Sequence, residues 1–276
     1  MSDLSSGKGH RDENFPVASV LLAPAHRAPI LAFYRFARAA DDIADHPTAP
    51  AAEKLTRLTA MRAGLDGGGA PEAMALARVQ AERGIDAAHA HELLDAFVQD
   101  VTVRRYADWA GLIGYCRLSA MPVGRFVLDV HGEDRAIWPL SDALCAALQI
   151  VNHLQDCGKD YRALDRVYLP ADLLAHHGAA VDDLAAATAA PGLRAAIAEA
   201  AARTQALLAT SAPFARAIRS HRLAAEVAVI QRLAADLARR LSAHDPLSAR
   251  VHHRKAEAAV IAARAVAGLL LAKALP

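Results

Sequence analysis

Leu148-Gln149-Ile150-Val151-Asn152-His153-Leu154-Gln155-Asp156-Cys157-Gly158-Lys159-Asp160-Tyr161 is the stretch on which the fold turns. Gln149, Asn152, Asp156 and Asp160 follow one another at steps of three, four and four, which an α-helix aligns as one polar stripe. The rest of the circumference, traced back to a predicted N-cap at Ser141, is mostly Ala, Leu, Ile and Val. A helix that is apolar on most sides belongs at the centre of a bundle, so its polar stripe has to face a cavity. The alternative is a partly exposed helix with stray polar residues, which suits so extensive an apolar surround less well.

A second carboxylate pair lies more than a hundred residues upstream, in Tyr34-Arg35-Phe36-Ala37-Arg38-Ala39-Ala40-Asp41-Asp42-Ile43-Ala44-Asp45. This run ends a helix predicted over 28–44, with Ile30, Leu31, Phe33, Tyr34, Phe36, Ala37 and Ala40 on its apolar face. A spacing of four puts Asp41 and Asp45 one turn apart, where their oxygens can converge on a hard cation. The plainer reading is a solvated helix end with an Arg38/Asp42 pair. Magnesium keeps several waters and is held by one or two carboxylates plus substrate phosphate oxygens. Two facing pairs therefore suit a magnesium-bound diphosphate, with apolar helix walls to shield a carbocation from water.

The remaining chain reads as further helices, giving an all-α, single-domain bundle around a central cavity. Alanine runs and an aromatic content of only 5% favour helix over sheet. Helices are expected over 51–63 and again from Pro71, on either side of the Gly-rich loop Gly64-Leu65-Asp66-Gly67-Gly68-Gly69-Ala70-Pro71. Two or three more fill 86–128, broken near 100–108 and at Pro122-Val123-Gly124, a break of the kind that marks a lined cavity. His176-His177-Gly178 reads as a helix C-terminus. Alanine-rich helices follow over 193–241 and 246–274, separated by a turn at His244-Asp245-Pro246.

A formal charge of +1 argues against a general attraction to nucleic acid. Three cysteines, Cys116, Cys145 and Cys157, without a Cys-x-x-Cys pair, suit a reducing cytoplasm. The polar start of the chain is expected to be disordered over 1–9, with the folded domain over 10–276. No apolar run reaches the roughly 18 residues of a membrane span, which leaves room for a peripheral contact at the inner membrane. Thirteen histidines show no zinc-type spacing. Arg250, Arg254 and Lys255 read as a solvated basic face.

Taken in order, these motifs resemble those of the squalene/phytoene synthase family over nearly the whole chain. Asp41-Asp42-Ile43-Ala44-Asp45 is similar to the family's first aspartate motif, and Asp156-Cys157-Gly158-Lys159-Asp160 followed by Arg166-Val167-Tyr168-Leu169-Pro170 to its second. Between them, Tyr115-Cys116 through Val123-Gly124 resembles a third conserved segment. The resemblance implies an isoprenoid-synthase fold, Mg2+ as cofactor and a prenyl diphosphate substrate. By position it implies metal-side and catalytic roles for Asp41, Asp45, Asp156 and Asp160, a metal-side role for Asn152, and substrate contacts from Asn14, Tyr34, Arg38, Gln149 and Tyr168.

Gly9 to Ser19, Gln99-Asp100-Val101 and Arg105-Tyr106-Ala107-Asp108-Trp109 are similar to one branch, the hydroxysqualene synthases of bacterial hopanoid pathways. That likeness implies magnesium-assisted ionisation of presqualene diphosphate, rearrangement and capture by water, alongside other squalene-pathway enzymes. Asn14-Phe15 stands where many condensing relatives have Ser-Phe, and Gln155 where they have an arginine. Losing that cation argues against a site for two farnesyl diphosphates, whose head-to-head condensation is the competing expectation. A non-catalytic lipid-binding or assembly module is the third, weakened by the intact aspartate pairs.

Overall fold

The computed structural model describes residues 24–274, in which twelve α-helices occur. The segments 1–9 and 9–19, and with them the expected substrate contact Asn14, lie outside the described residues. The helices are α1 (Pro24–Ala44), α2 (Ala51–Leu65), α3 (Pro71–Arg83), α4 (Ala88–Thr102), α5 (Trp109–Ser119) and α6 (Met121–Val130). They continue with α7 (Trp138–Leu164), α8 (Ala171–His176), α9 (Pro191–Thr210), α10 (Phe214–Ala217), α11 (His221–Ala243) and α12 (Lys255–Ala274). No strand occurs among the described residues; extended pairing is limited to one isolated parallel bridge between Arg105 and Val167. None of the described helices is long and apolar enough to cross a membrane.

Two apolar clusters hold the bundle together. The larger joins α5, α7, α8, α9, α10 and α11 through fully buried residues such as Ile150, Leu193, Ile197 and Leu241. The smaller joins α1 to α4 through Phe36, Leu58, Met61, Leu76 and Leu94, with Phe126 of α6 packed into it. α7 is the central helix its sequence predicts: Ala143, Ala147, Ile150, Val151, Leu154 and Gly158 are buried along its length at helical spacing. The polar stripe is left facing the space between the two clusters.

Several boundaries differ from the sequence expectation, each for a local reason. α7 starts at Trp138 rather than at Ser141, because Pro139 in the first turn has its φ preset for helix and lacks only an N–H that has no partner there. Ser141 is instead buried inside the helix, 1% exposed. The helix α1 is already formed at Pro24, four residues before the expected start, with Pro29 inside it. Pro29 cannot donate to the Ala25 carbonyl, and the Arg83 guanidinium of α3 does so instead at 3.1 Å. After α11 the turn extends to Arg254. Asp245 accepts from the Ala189 and Leu247 amides, and Gln155 donates to the Val251 carbonyl, so the backbone is held in a loop until Glu257 caps α12.

The break expected near Pro122 falls at Ala120, and Pro122 opens α6 rather than interrupting a helix. Gly124 then lets α6 approach α7. A Cβ there would lie 2.5 Å from both Cys145 Sγ and Ser141 Oγ, closer than real contacts allow. Gly124→Ala is expected to destabilise the protein by about 1–3 kcal/mol through this overpacking. Urea denaturation checks it, and Cys145→Ala in the same chain should restore part of the loss.

Candidate active site

One cavity of about 390 Å³ gathers every sequence-predicted site residue that the structure describes. α7 contributes Gln149, Asn152, Asp156 and Asp160, while α1 contributes Tyr34, Arg38 and Asp41, with Asp45 just past its end. Tyr168 completes the set from the segment after α7. The two aspartate pairs sense each other: Asp45 is among the charges that raise Asp160. Asp41 is pushed up to about 7, by burial first and then by Asp45, against the pull of Arg38. Burial and then Asp156 push Asp160 up to about 7 as well.

Five aspartates, Asp41, Asp45, Asp100, Asp156 and Asp160, line the cavity against two arginines, Arg38 and Arg166. A diphosphate entering alone would meet net negative charge, so it needs accompanying cations. Both arginines are also committed. Arg38 donates to Asp41 at 2.6 Å and to Asp42 at 2.8 Å, and Arg166 donates to Asp45 at 2.5 Å and to the Ala44 carbonyl at 3.0 Å. The donors are hard oxygens with no thiolate among them, which fits magnesium. No three of these acids bring oxygens within 4.8 Å of one another, so they do not form a closed cage. Such spacing suits ions that retain water and share phosphate oxygens.

Behind the acids sits a group that sequence reasoning did not assemble. Asp100 is 7% exposed and accepts hydrogen bonds from Tyr115 at 3.0 Å and Tyr168 at 2.9 Å. Burial pushes its carboxyl up to about 6 even though both tyrosines favour the charged form. The His153 ring stacks on Tyr168 with centroids 3.4 Å apart, and burial followed by the Arg166 charge pulls its pKa down to about 3, so it stays neutral. Asp100, Tyr115 and Arg166 each stand in a quoted motif; only the fold shows that they meet. Cys157, flanked by acids, is buried, and burial pushes its thiol up to about 12, which leaves it protonated and unreactive.

The segment that carries Arg166 and Tyr168 is clamped from the end of α4. Arg104 donates to the Leu164 carbonyl at 2.6 Å, Arg105 reaches the Asp165 carbonyl and carboxylate, both at 2.5 Å, and the Val167 amide donates to the Arg104 carbonyl at 3.0 Å. Asp165 itself holds a left-handed backbone, φ 52°, as it ends α7.

Beyond the acids, at Tyr34, Ala37 and Val123, the cavity meets a second chamber of about 250 Å³. Its walls come from α1, α6, α7, α10 and α11 and are almost entirely apolar, with Phe33 and Phe126 stacked at 4.2 Å. The break at Ala120 has the expected consequence: Ser119 lines the polar cavity, Gly124 the apolar chamber and Val123 both, while Met121 packs on the core instead. Gln155 lines neither, being buried with its amide on Val251 and His252.

An all-helical bundle with an acid-lined cavity leading into an apolar chamber defines the isoprenoid-synthase class of fold. The Squalene/phytoene synthase family matches residues 9–257, and the chain belongs to that family and is an enzyme of its type. A hydroxysqualene synthase of Zymomonas mobilis subsp. mobilis is 52% identical over 271 residues, covering 97% of this chain and 91% of that one. One from Rhodopseudomonas palustris is 55% identical over 258 residues, covering 93% and 88%. The crystal structure of squalene synthase HpnC from Alicyclobacillus acidocaldarius is similar at a TM-score of 0.70 and 31% identity, over 82% of this chain and 86% of that one.

Asp100 supplies a test of the inner site. Its pKa of about 6 lies above the ordinary 3.8, so it stabilises the fold below pH 4 relative to its state above pH 6. Tyr168→Phe removes one donor to its charged form and should cost about 1–3 kcal/mol. Urea midpoints should show a larger loss at pH 8 than at pH 5.

Proposed function

We propose that the protein is a hydroxysqualene synthase, a lyase of bacterial hopanoid biosynthesis that ionises presqualene diphosphate and captures the rearranged cation with water. The observation that carries this reading is the meeting of two aspartate pairs in one cavity at the head of an apolar chamber. The names of the relatives at 52% and 55% identity support it. A cytoplasmic setting with a peripheral contact at the inner membrane suits a lipid product.

Asp41, Asp45, Asn152, Asp156 and Asp160 would hold Mg2+, which when bound neutralises the diphosphate as its carbon–oxygen bond breaks. Tyr34, Arg38 and Gln149 contact the diphosphate from the cavity wall, and Tyr168 fixes the floor through Asp100. The hydrocarbon lies in the apolar chamber, whose lining includes Phe33 and Phe126 and whose walls keep bulk water away. Neutral His153 adds no opposing charge.

Condensation of two farnesyl diphosphates is the competing reading, and one observation reopens it. Gln155 is buried away from the cavity, so a missing cation at that position does not by itself remove a second diphosphate site. Purified protein with Mg2+ and presqualene diphosphate, without a nicotinamide cofactor, should release diphosphate and hydroxysqualene. Turnover of farnesyl diphosphate alone, with presqualene diphosphate left unchanged, would overturn the proposal in favour of condensation.

Asp41→Asn and Asp156→Asn should each lower turnover by roughly 100-fold or more while circular dichroism stays unchanged. Asp41 and Asp160, each with a pKa of about 7, must lose their protons to bind a cation. Above that pH the metal-free protein gives up the stability these acids provide when protonated. Mg2+ should therefore bind more tightly, and raise the melting temperature more, at pH 8 than at pH 6; an equal thermal shift at both would count against the metal assignment.

A further inference from the structure

The short helix α8 ends at His176, His177 follows, and the fold brings Glu199 of α9 up to the pair across 22 residues of sequence. A ring nitrogen of each histidine and a carboxylate oxygen of Glu199 all lie within 4.8 Å of one another, which no other trio of His, Cys, Asp or Glu donors does among the described residues. His177 Nε2 and Glu199 Oε2 are 2.7 Å apart, and the two imidazole centroids are 4.8 Å apart. None of the three residues lines the polar cavity or the apolar chamber. A cationic side chain at a helix C-terminus offsets the partial charge of the last carbonyls, and one imidazole suffices for that. Such a role accounts for His177 but not for His176, which is exposed and makes no hydrogen bond among the described residues.

The two oxygens of Glu199 are divided between partners. Oε1 accepts from Arg203 Nε at 3.1 Å and Nη2 at 2.6 Å, while Oε2 faces His177. Arg203 is held from its other side over the Trp109 ring, 5.6 Å from the centroid. His177 and then Arg203 keep the Glu199 carboxyl below its ordinary range, so it is ionised.

We propose that His176, His177 and Glu199 form a surface site for a divalent transition metal of the zinc class, separate from the aspartate cavity. Two nitrogen donors select such an ion, whereas Mg2+ takes oxygen ligands. The Arg203 charge sharpens that choice, because it disfavours an ion held by charge alone while orienting the carboxylate for one held by imidazole. Zinc draws nitrogen and oxygen ligands to about 2.0–2.2 Å, which places them roughly 3.3 Å apart around a tetrahedral ion. His177 and Glu199 are already that close, so rotation of the exposed His176 ring closes the set. The ion takes the place of the proton between His177 and Glu199, the imidazole carries its proton on Nδ1, and water fills the fourth position. At the other end of α8, the Ala171 and Asp172 amides donate to the Tyr106 and Ala107 carbonyls. A metal at His176 and His177 fastens α8 to α9 and so anchors the segment that brings Arg166 and Tyr168 to the polar cavity.

The test strips wild type, His176→Ala and Glu199→Gln of metal with a chelator, adds excess Mg2+ to occupy the aspartates, and titrates Zn2+ by calorimetry at micromolar protein. Wild type should bind one zinc per chain. Losing a partner of a ligand typically costs about 10–100-fold in metal affinity, so losing a ligand should weaken zinc by roughly 100-fold or more in each variant. Zinc should also raise the melting temperature of wild type and leave that of the variants unchanged. Circular dichroism establishes that each variant folds. Co2+ added to the unmodified chain gives a reading that needs no substitution, and the visible absorption of a tetrahedral ion with nitrogen ligands is expected. Absence of zinc binding by wild type, wild-type affinity in either folded variant, or a cobalt spectrum of oxygen ligands alone overturns the proposal.

Discussion

The gathering of half-buried carboxylates in one cavity is the constraint around which this molecule is arranged. Asp41 and Asp160 both have raised pKa values because they are withdrawn from water beside other acids. That strain is held rather than relieved. Turning the stripe of the central helix outward would withdraw a long buried surface, including Ala143, Leu144, Ala147, Ile150, Val151 and Leu154, from the core. Arg38 and Arg166 compensate only part of the charge, each attached to one aspartate of the α1 pair. A site so biased toward cations is preorganised for a metal-bound anion, and its preference comes from packing far larger than the site itself.

What the sequence revealed followed periodicity. The stripe on α7 and the pair on α1 were legible because both obey helical spacing within a few residues, and the break before α6 announced a cavity wall. Contacts between remote segments carry no such signature. Asp100 finds Tyr115 and Tyr168 at separations of 15 and 68 residues, which no local pattern encodes. The starts of α7 and α12 were misplaced where proline and side-chain capping outweighed apolar periodicity.

The division into two compartments has a physical logic. Charge separates from hydrocarbon at three residues that line both spaces, Tyr34, Ala37 and Val123, which come from two helices only. α1 thus carries the first aspartate pair and also one wall of the apolar chamber, so the polar head and greasy tail of a ligand are registered against a single rigid element. The stacked Phe33 and Phe126 rings tie that helix to α6.

Asp165 illustrates how closely this register is tuned. Its left-handed backbone is a conformation in which glycine would sit at ease, yet its carboxylate anchors the Arg105 guanidinium. Comfort of the main chain and retention of the tether thus make opposite demands on one residue. Attempts to rigidify this stretch by directed evolution will meet that trade-off, and paired changes at 105 and 165 offer a route past it that single substitutions lack.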